Sequence, residues 1–279
     1  MDPTLVAVIG LALMALLMLL GMPISFTMLA AGVLGNAYLL TPGAATHLLA
    51  TNIWEQFSSY GLSVIPLFVL MGQFAYRAGT TERLYDAAYK WVGRLPGGLA
   101  GTTIAASAGF SAICGSNSAT TATMGTIAMP EMRRYGYDPA LSTGAIAVGG
   151  TLGVVIPPSV VLIVIAVQTE QSLLRLFVAA VVPGLILTAL FLATIFWMCK
   201  RNPALGPLGP QTTWGEKIRA LTGVIEALLL FGLVIGGLYM GWFTPTEAGA
   251  AGAFGALAIG LLQRSLDFKG IVLSIVESV

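Results

Sequence analysis

The chain has 279 residues, 57% of them hydrophobic and only 9% charged, with a mean hydropathy of +0.88. Such a balance excludes an ordinary soluble domain of this length, and a formal net charge of +1 provides no basic footprint for nucleic acid. The two cysteines, Cys114 and Cys199, lie in apolar stretches and read as buried small hydrophobes rather than a disulfide framework.

Apolar windows predict spans over 4–22, 24–40, 61–77, 139–170, 176–199, 219–240 and 245–263. The first 22 residues lack a basic leader and a clear cleavage site, so they read as a retained span rather than a removed signal peptide. An amphipathic connector, Leu48–Phe57, follows the second span. Between Arg77 and Arg94, apolar positions recur at helical spacing with charges between them, which predicts a helix over 79–94 lying along the membrane surface.

From Leu95 to Pro130 no residue is charged, yet the stretch is rich in Gly, Ser and Thr and centres on Cys114-Gly115-Ser116-Asn117-Ser118. It is too long for one span and too short for two, which predicts a re-entrant helical hairpin whose polar tip turns near mid-membrane. The overlong 139–170 window predicts a broken helix. Gly149-Gly150-Thr151-Leu152-Gly153 and then Ile156-Pro157-Pro158-Ser159 are costly to accommodate in one continuous helix.

If 95–130 turns back, Arg77, Arg83, Lys90, Arg94, Arg133, Arg134, Lys200, Arg201, Lys217, Arg219, Arg264 and Lys269 share one side, and only Arg175 falls opposite. A single crossing would split the bases far more evenly. The positive-inside rule therefore selects the hairpin, a cytoplasmic 200–218 loop and an outward, periplasmic N-terminus.

The number of net crossings before residue 219 is then odd, so a repeat starting there is inverted. Gly21-Met22-Pro23 and Gly241-Trp242-Phe243-Thr244-Pro245 are corresponding joints, and Leu48–Phe57 falls over Gly270–Val279. The reading is a first inverted repeat over 1–218 and the start of a second over 219–279. The first comprises scaffold spans 1–77, surface helix 79–94, hairpin 95–130, broken helix 139–170, span 176–199 and loop 200–218. A partner hairpin and broken helix are expected beyond Val279, making this an N-terminal portion of a longer protein. Inverted repeats characterise secondary transporters, with the site at the repeat interface.

At the tip, Gly115, Ser116, Asn117 and Ser118 bring hydroxyl, amide and backbone oxygens together, a donor set suited to alkali cations. Gly150, Thr151, Gly153, Pro157, Pro158 and Ser159 form the companion: a break that frees carbonyls around Gly150–Val154. Thr102, Thr103 and Ser107 read as close-packing residues. Glu226 reads as a polar-cleft, snorkelling or paired residue, and Glu247 as a first-turn acid at a helix N-terminus. Arg175 reads as an interfacial anchor. Trp54, Trp91, Trp197, Trp214 and Trp242 fall near span ends, as interfacial belts do.

No nucleotide-binding G-x-x-x-x-G-K-[ST] run is present, the single histidine His47 sits in a connector, and no spacing suits a transition metal. No histidine lies in a span to activate Ser111 or Ser116 as a nucleophile, which argues against an enzyme.

Several runs resemble the large membrane subunit of tripartite ATP-independent periplasmic (TRAP) transporters. They are Gly21-Met22-Pro23-Ile24-Ser25-Phe26, Ile65-Pro66-Leu67-Phe68-Val69-Leu70-Met71-Gly72, Gly115-Ser116-Asn117-Ser118-Ala119, Met129-Pro130-Glu131-Met132, Tyr135-Gly136-Tyr137-Asp138-Pro139, Gly150-Thr151-Leu152-Gly153, Ile156-Pro157-Pro158-Ser159 and Phe243-Thr244-Pro245-Thr246-Glu247-Ala248. Asn117 departs from the Gly-Ser-Ala or Gly-Ser-Ser usual at the tip. The resemblance implies an all-α polytopic protein of the bacterial inner membrane. It implies sodium-driven organic-acid uptake by an elevator motion, with Na+ as coupling ion and no other cofactor. Its partners would be a small membrane subunit, a periplasmic substrate-binding protein and the lipid bilayer. The alternatives are a binding-protein-independent divalent-anion/sodium symporter and an ion channel.

Overall fold

The computed structural model describes residues 3–209 and 212–278. Residues 1, 2, 210, 211 and 279 lie outside the described residues, and with them a part of the expected 200–218 loop and the last residue of the expected second repeat. Among the described residues every regular element is helical, as expected of an all-α protein. The chain forms two compact units that divide between Tyr60 and Gly61.

In the first unit, α1 (Pro3–Leu19) and α2 (Ile24–Leu39) pack antiparallel, because Gly21 takes a left-handed φ of 85° and Pro23 starts the return. Val6, Ile9, Gly10 and Leu13 face Ala31, Leu34, Gly35 and Tyr38 across an apolar groove of about 260 Å³. Both helices are shorter than the expected spans 4–22 and 24–40, since the glycine turn ends one and a 40–41 break the other. The connector is longer than Leu48–Phe57. It is α3 (Pro42–Ser58), whose N-cap Thr41 accepts from the Ala44 amide through Oγ1 at 3.1 Å.

A 3₁₀ turn at Tyr60–Ser63 spans the division, and the second unit continues with α4 (Val64–Arg77). With 14 residues α4 is about 21 Å long, so the expected 61–77 span is a tight turn plus a short helix. The surface helix is α5 (Thr80–Val92), and its surroundings differ from expectation. Thr80, Thr81, Leu84, Tyr85 and Ala87 are buried against protein, between the following helix α6 (Gly98–Cys114) and α11 (Trp214–Phe231).

The hairpin is α6 and α7 (Asn117–Arg134). The second arm runs past the expected limit at Pro130 to Arg134. A proline removes only one N–H donor from the ladder, and a packed helix tolerates that loss. The broken helix is α8 (Pro139–Val155) and α9 (Val160–Gln168), and α10 (Leu173–Arg201) runs for 29 residues. α11 continues through a π-helical turn, Gly232–Gly236, into α12 (Gly237–Tyr239). α13 (Pro245–Leu262) and α14 (Phe268–Ser278) complete the unit.

The core joins α4, the hairpin, α8, α10 and α13. Phe68, Met71, Ile104, Phe110 and Phe177 are fully buried, and Phe68 meets Phe177 edge to face at 6.3 Å. Cys114 and Cys199 are buried free thiols, as expected. Glu247 forms a capping box with Thr244, and Glu216 forms one with Thr213. Of the roles open to Glu226, the structure selects pairing. Arg83 donates to it at 2.6 Å, Thr80 at 3.3 Å and Gln263 also donates, so α5, α11 and α13 are tied through one carboxylate. All five tryptophans are exposed, the least of them Trp91 at 44%.

Candidate functional site: the hairpin tip and the helix break

α6 ends because Gly115 turns left-handed, with φ of 63°, and its amide donates back to the Ser111 carbonyl at 3.0 Å. A side chain at this position would run into the Pro158 carbonyl. The next residue, Ser116, starts α7 as its N-cap. Its carbonyl accepts from the Thr120 amide and, at 2.8 Å, from the Thr120 hydroxyl. Asn117 and Ser118 are exposed, and the Ser118 hydroxyl donates to Asn117 Oδ1 at 3.0 Å.

The break is narrower than its sequence suggests. Gly150, Thr151 and Gly153 stay inside α8, which keeps its helical bonds to Ile156, whose amide donates to Leu152 at 2.8 Å. The expectation of an unwound Gly150–Val154 is therefore corrected: only 156–159 leave the helix. Glycines at 150 and 153 serve close approach instead. A Cβ on Gly150 would strike Thr121, and one on Gly153 would lie 2.9 Å from the Ser116 carbonyl.

Chemistry at the break follows from the prolines. Continued as a helix, the Gly153 and Val154 carbonyls would accept from residues 157 and 158, which are Pro157 and Pro158 and have no N–H. The Ser159 hydroxyl replaces one missing donor, reaching the Val154 carbonyl at 2.6 Å. The helical donor for Gly153 has no such replacement, so its carbonyl is left without its helical partner.

Tip and break are bonded to each other. The Val160 amide, first in α9, donates to the Gly115 carbonyl at 3.1 Å. The expected site residues thus fall into two groups. Gly115, Ser116, Gly150, Gly153, Pro158 and Ser159 meet at one junction, where Pro157 is also buried. The exposed side chains of Asn117 and Ser118 sit at its rim. Thr151 is exposed on α8 and donates to the Val148 carbonyl at 2.6 Å rather than reaching the tip. Thr121 was missed, although its place four residues after Asn117, whose carbonyl it caps at 2.8 Å, is a usable signal. Of the close-packing candidates, Thr102 and Thr103 donate to their own helix at 2.8 and 2.9 Å. Ser107 lies against Gly149.

The opposite end of the hairpin is stapled. The Gly97 amide donates to Gly206, Gly209 to Gly93 and Asp138 to Leu205. The Tyr137 hydroxyl accepts from the Leu99 amide at 3.0 Å and donates to the Pro207 carbonyl at 2.7 Å. Burial raises this phenol to about 12, so it keeps its donor proton at any physiological pH. Both hairpin ends, the start of α8 and the segment after α10 therefore share one end of the unit.

α10 gives the depth of the tip. Cys199 lies level with the stapled base, 2.6 Å from a Cβ built on Gly97, and Gly184 lies level with the break, 2.9 Å from Ile156 by the same measure. These positions are about 22 Å apart along the helix, and about 16 Å of α10 continues beyond Gly184 to Leu173.

Four described helical segments are long and apolar enough to cross a membrane: Pro139–Gln168, Leu173–Arg201, Trp214–Tyr239 and Pro245–Leu262. Residues 11–279 match the family described as "Tripartite ATP-independent periplasmic transporter, DctM component". The chain is 40% identical over 207 residues to a C4-dicarboxylate TRAP transporter large permease protein of Pseudomonas aeruginosa, covering 74% of this chain and 48% of that one. A 2,3-diketo-L-gulonate TRAP large permease protein of Escherichia coli is 32% identical over 250 residues, 89% of this chain and 58% of that one. A sialic acid TRAP large permease protein of Vibrio cholerae is 30% identical over 265 residues, 94% of this chain and 61% of that one. These relatives are named as permeases rather than enzymes, and the chain spans about half the length of the first curated relatives it matches.

Proposed function

Since the chain belongs to the DctM component family of tripartite ATP-independent periplasmic transporters, the large permease subunits, we propose that it forms membrane-embedded transport machinery for sodium-coupled uptake of an organic acid. The carboxylate or sugar-acid class rests on the substrates named for its relatives. A periplasmic binding protein delivers the substrate and a small membrane subunit braces the assembly in the bacterial inner membrane. One relative, of Oleidesulfovibrio alaskensis, is named as an isethionate TRAP transporter permease protein DctMQ.

The observation that carries this reading is the junction of hairpin tip and helix break partway along α10. A hydrocarbon core is about 30 Å thick, so a tip about 22 Å from the base, with more helix beyond it, is re-entrant. Irregular backbone at that depth persists where protein buries it or where it lines a polar cavity, and the exposed Asn117 and Ser118 side chains at the rim favour a polar occupant there. The Gly153 carbonyl, the Ser116 hydroxyl and the rim side chains of Asn117 and Ser118 offer oxygen to a sodium ion. In the elevator motion, hairpin and broken helix travel together, held at both ends by the Gly115–Val160 bond and the base staple. The inverted repeat, with its boundary near residue 219 and an outward N-terminus, completes the proposal. Left-handed glycines at Gly21 and Gly241 support it as matching joints.

Sodium-dependent uptake into proteoliposomes carrying the assembled transporter tests the site. Ser116→Ala and Asn117→Ala each raise the sodium concentration for half-maximal uptake, by roughly 5- to 150-fold for one lost oxygen ligand. Unchanged sodium dependence in both, with uptake retained, moves the site elsewhere. Impermeant thiol labelling tests the topology: single cysteines at Arg94 and Arg133 react from the cytoplasmic side and one at Arg175 from the other. Labelling of positions 94 and 133 from opposite sides removes the re-entrant hairpin.

A further inference from the structure

Between α4 and the second hairpin arm α7 lies a cavity of about 320 Å³. α4 lines it with Gln73 and Tyr76, and α7 with Ala119, Thr123 and Thr126, each set recurring at helical spacing on one face. Its direction follows from two contacts. A Cβ built on Gly72 would lie 2.9 Å from the Cys114 Cα, so Gly72 is level with the hairpin tip. Phe68, one turn earlier, meets Phe177, which lies on α10 about 10 Å beyond Gly184 on the side away from the staple. From Gly72 onward α4 therefore runs toward the stapled end, and α7 runs the same way, covering about 10 Å between Ala119 and Thr126.

The inner end of the cavity touches the tip, because the Ala119 amide donates to the Ser116 hydroxyl at 3.4 Å. At the outer end Glu277 of α14 lines it, paired with Arg77 at 2.6 Å, and both side chains are partly exposed. The walls between are rich in oxygen. Among the described residues the Gln73 amide and the Tyr76 and Thr123 hydroxyls have no hydrogen-bond partner in the protein. The Thr126 hydroxyl donates to the Ala122 and Thr123 carbonyls and keeps its lone pairs for the cavity. Polar groups left without protein partners in a space of this size hold water.

We propose that this cavity is the water-filled path by which the coupling sodium ion leaves the hairpin tip for the cytoplasm, an inference that rests on the sodium site at that tip. Amide, phenol and hydroxyl oxygens replace part of the hydration shell along the way without holding the ion, as conduction requires. The charge at the mouth selects a cation over the organic acid. Among the described residues that line the cavity only Glu277 is charged, and its counter-ion Arg77 is not one of them. An organic anion entering here meets an acid and no base.

Thiol reactivity in inside-out vesicles carrying the assembled transporter tests the path. Thr123→Cys and Thr126→Cys, each combined with Cys114→Ala and Cys199→Ala, are treated with a trimethylammonium-ethyl and a sulfonato-ethyl methanethiosulfonate, both membrane-impermeant. Both positions react from the cytoplasmic face. With rates normalised to those of a free thiol, the cationic reagent is faster by roughly fivefold, the effect of one nearby charge in a watery setting. Glu277→Gln, which leaves Arg77 unpaired, abolishes that preference. Size-exclusion chromatography establishes that each variant is folded. Folded variants that stay unreactive at both positions, equal normalised rates for the two reagents, or a preference that survives Glu277→Gln each overturn the path. Failure of the path alone leaves uptake by the unaltered transporter sodium-dependent, whereas uptake indifferent to sodium removes the tip site and the path with it.

Discussion

The hairpin arm α6 and the long helix α10 are both free of charge through their middles, yet they meet opposite surroundings. α6 is built of Gly, Ala, Ser and Thr with few large side chains, and nearly all of it is buried, including Thr102, Thr103, Ser107 and Ser111. α10 is greasier, and only 17% of its most apolar stretch is buried, with Val182, Leu185, Ile186 and Leu190 more than half exposed. In water the reverse would be expected. In a bilayer an apolar side chain gains little by leaving lipid for protein, so the close backbone approach that small residues allow decides what goes inside. Size, not hydropathy, separates the inner helices from the outer one.

The sharpest way to break this contrast is to enlarge the small residues at the junction. Gly150→Val meets Thr121, and Gly115→Ala meets Pro158 at a left-handed backbone. Each should destabilise the chain by about 2–4 kcal/mol, visible as a large fall in thermal unfolding temperature in detergent. Near-native stability in both would mean that close packing is not what holds the hairpin to α8. A middle-sized effect is expected from the Arg83–Glu226 pair, whose side chains are 34% and 15% exposed. Arg83→Met or Glu226→Leu alone should cost about 1–3 kcal/mol, because the remaining charge is left partly buried. The double variant should recover much of that loss in the same melting measurement. The smallest effect is expected on α10. Leu185→Ala and Leu190→Ala, 62% and 57% exposed, should change stability by less than about 0.5 kcal/mol. A core-like loss there would show that this face is covered by protein rather than lipid.

How much of this was legible depended on whether a signal had one physical meaning or two. Pro157-Pro158 has one, the loss of two donors, and the break lies where the prolines put it. Ser116 after Gly115 likewise marks a C-cap followed by an N-cap, and the tip turns there. Glycine has two meanings, freedom of the backbone and room for a neighbour. Gly150 and Gly153 were read in the first sense and act in the second, because the residues that approach them, Thr121 and Ser116, sit on another helix. The same blindness to distant partners left Glu226 undecided until Arg83, 143 positions earlier, was seen beside it. The amphipathic pattern of α5 named a polar and an apolar face correctly. Periodicity alone does not say whether protein or lipid covers the apolar one.

The staple at the hairpin base also has a consequence for how the chain is made. Its second segment, 202–209, leaves the ribosome on the order of 80 residues after Pro130, a delay of roughly 4–16 s at ordinary elongation rates. Until then the hairpin base has only the Leu99–Tyr137 bond and, for the first part of that wait, the tip also lacks the Val160 amide that holds it. A polar loop must wait at the membrane for helices not yet synthesised. The packing that holds α6 and α7 as a hairpin is therefore complete only once α8 to α10 and the 202–209 segment have followed.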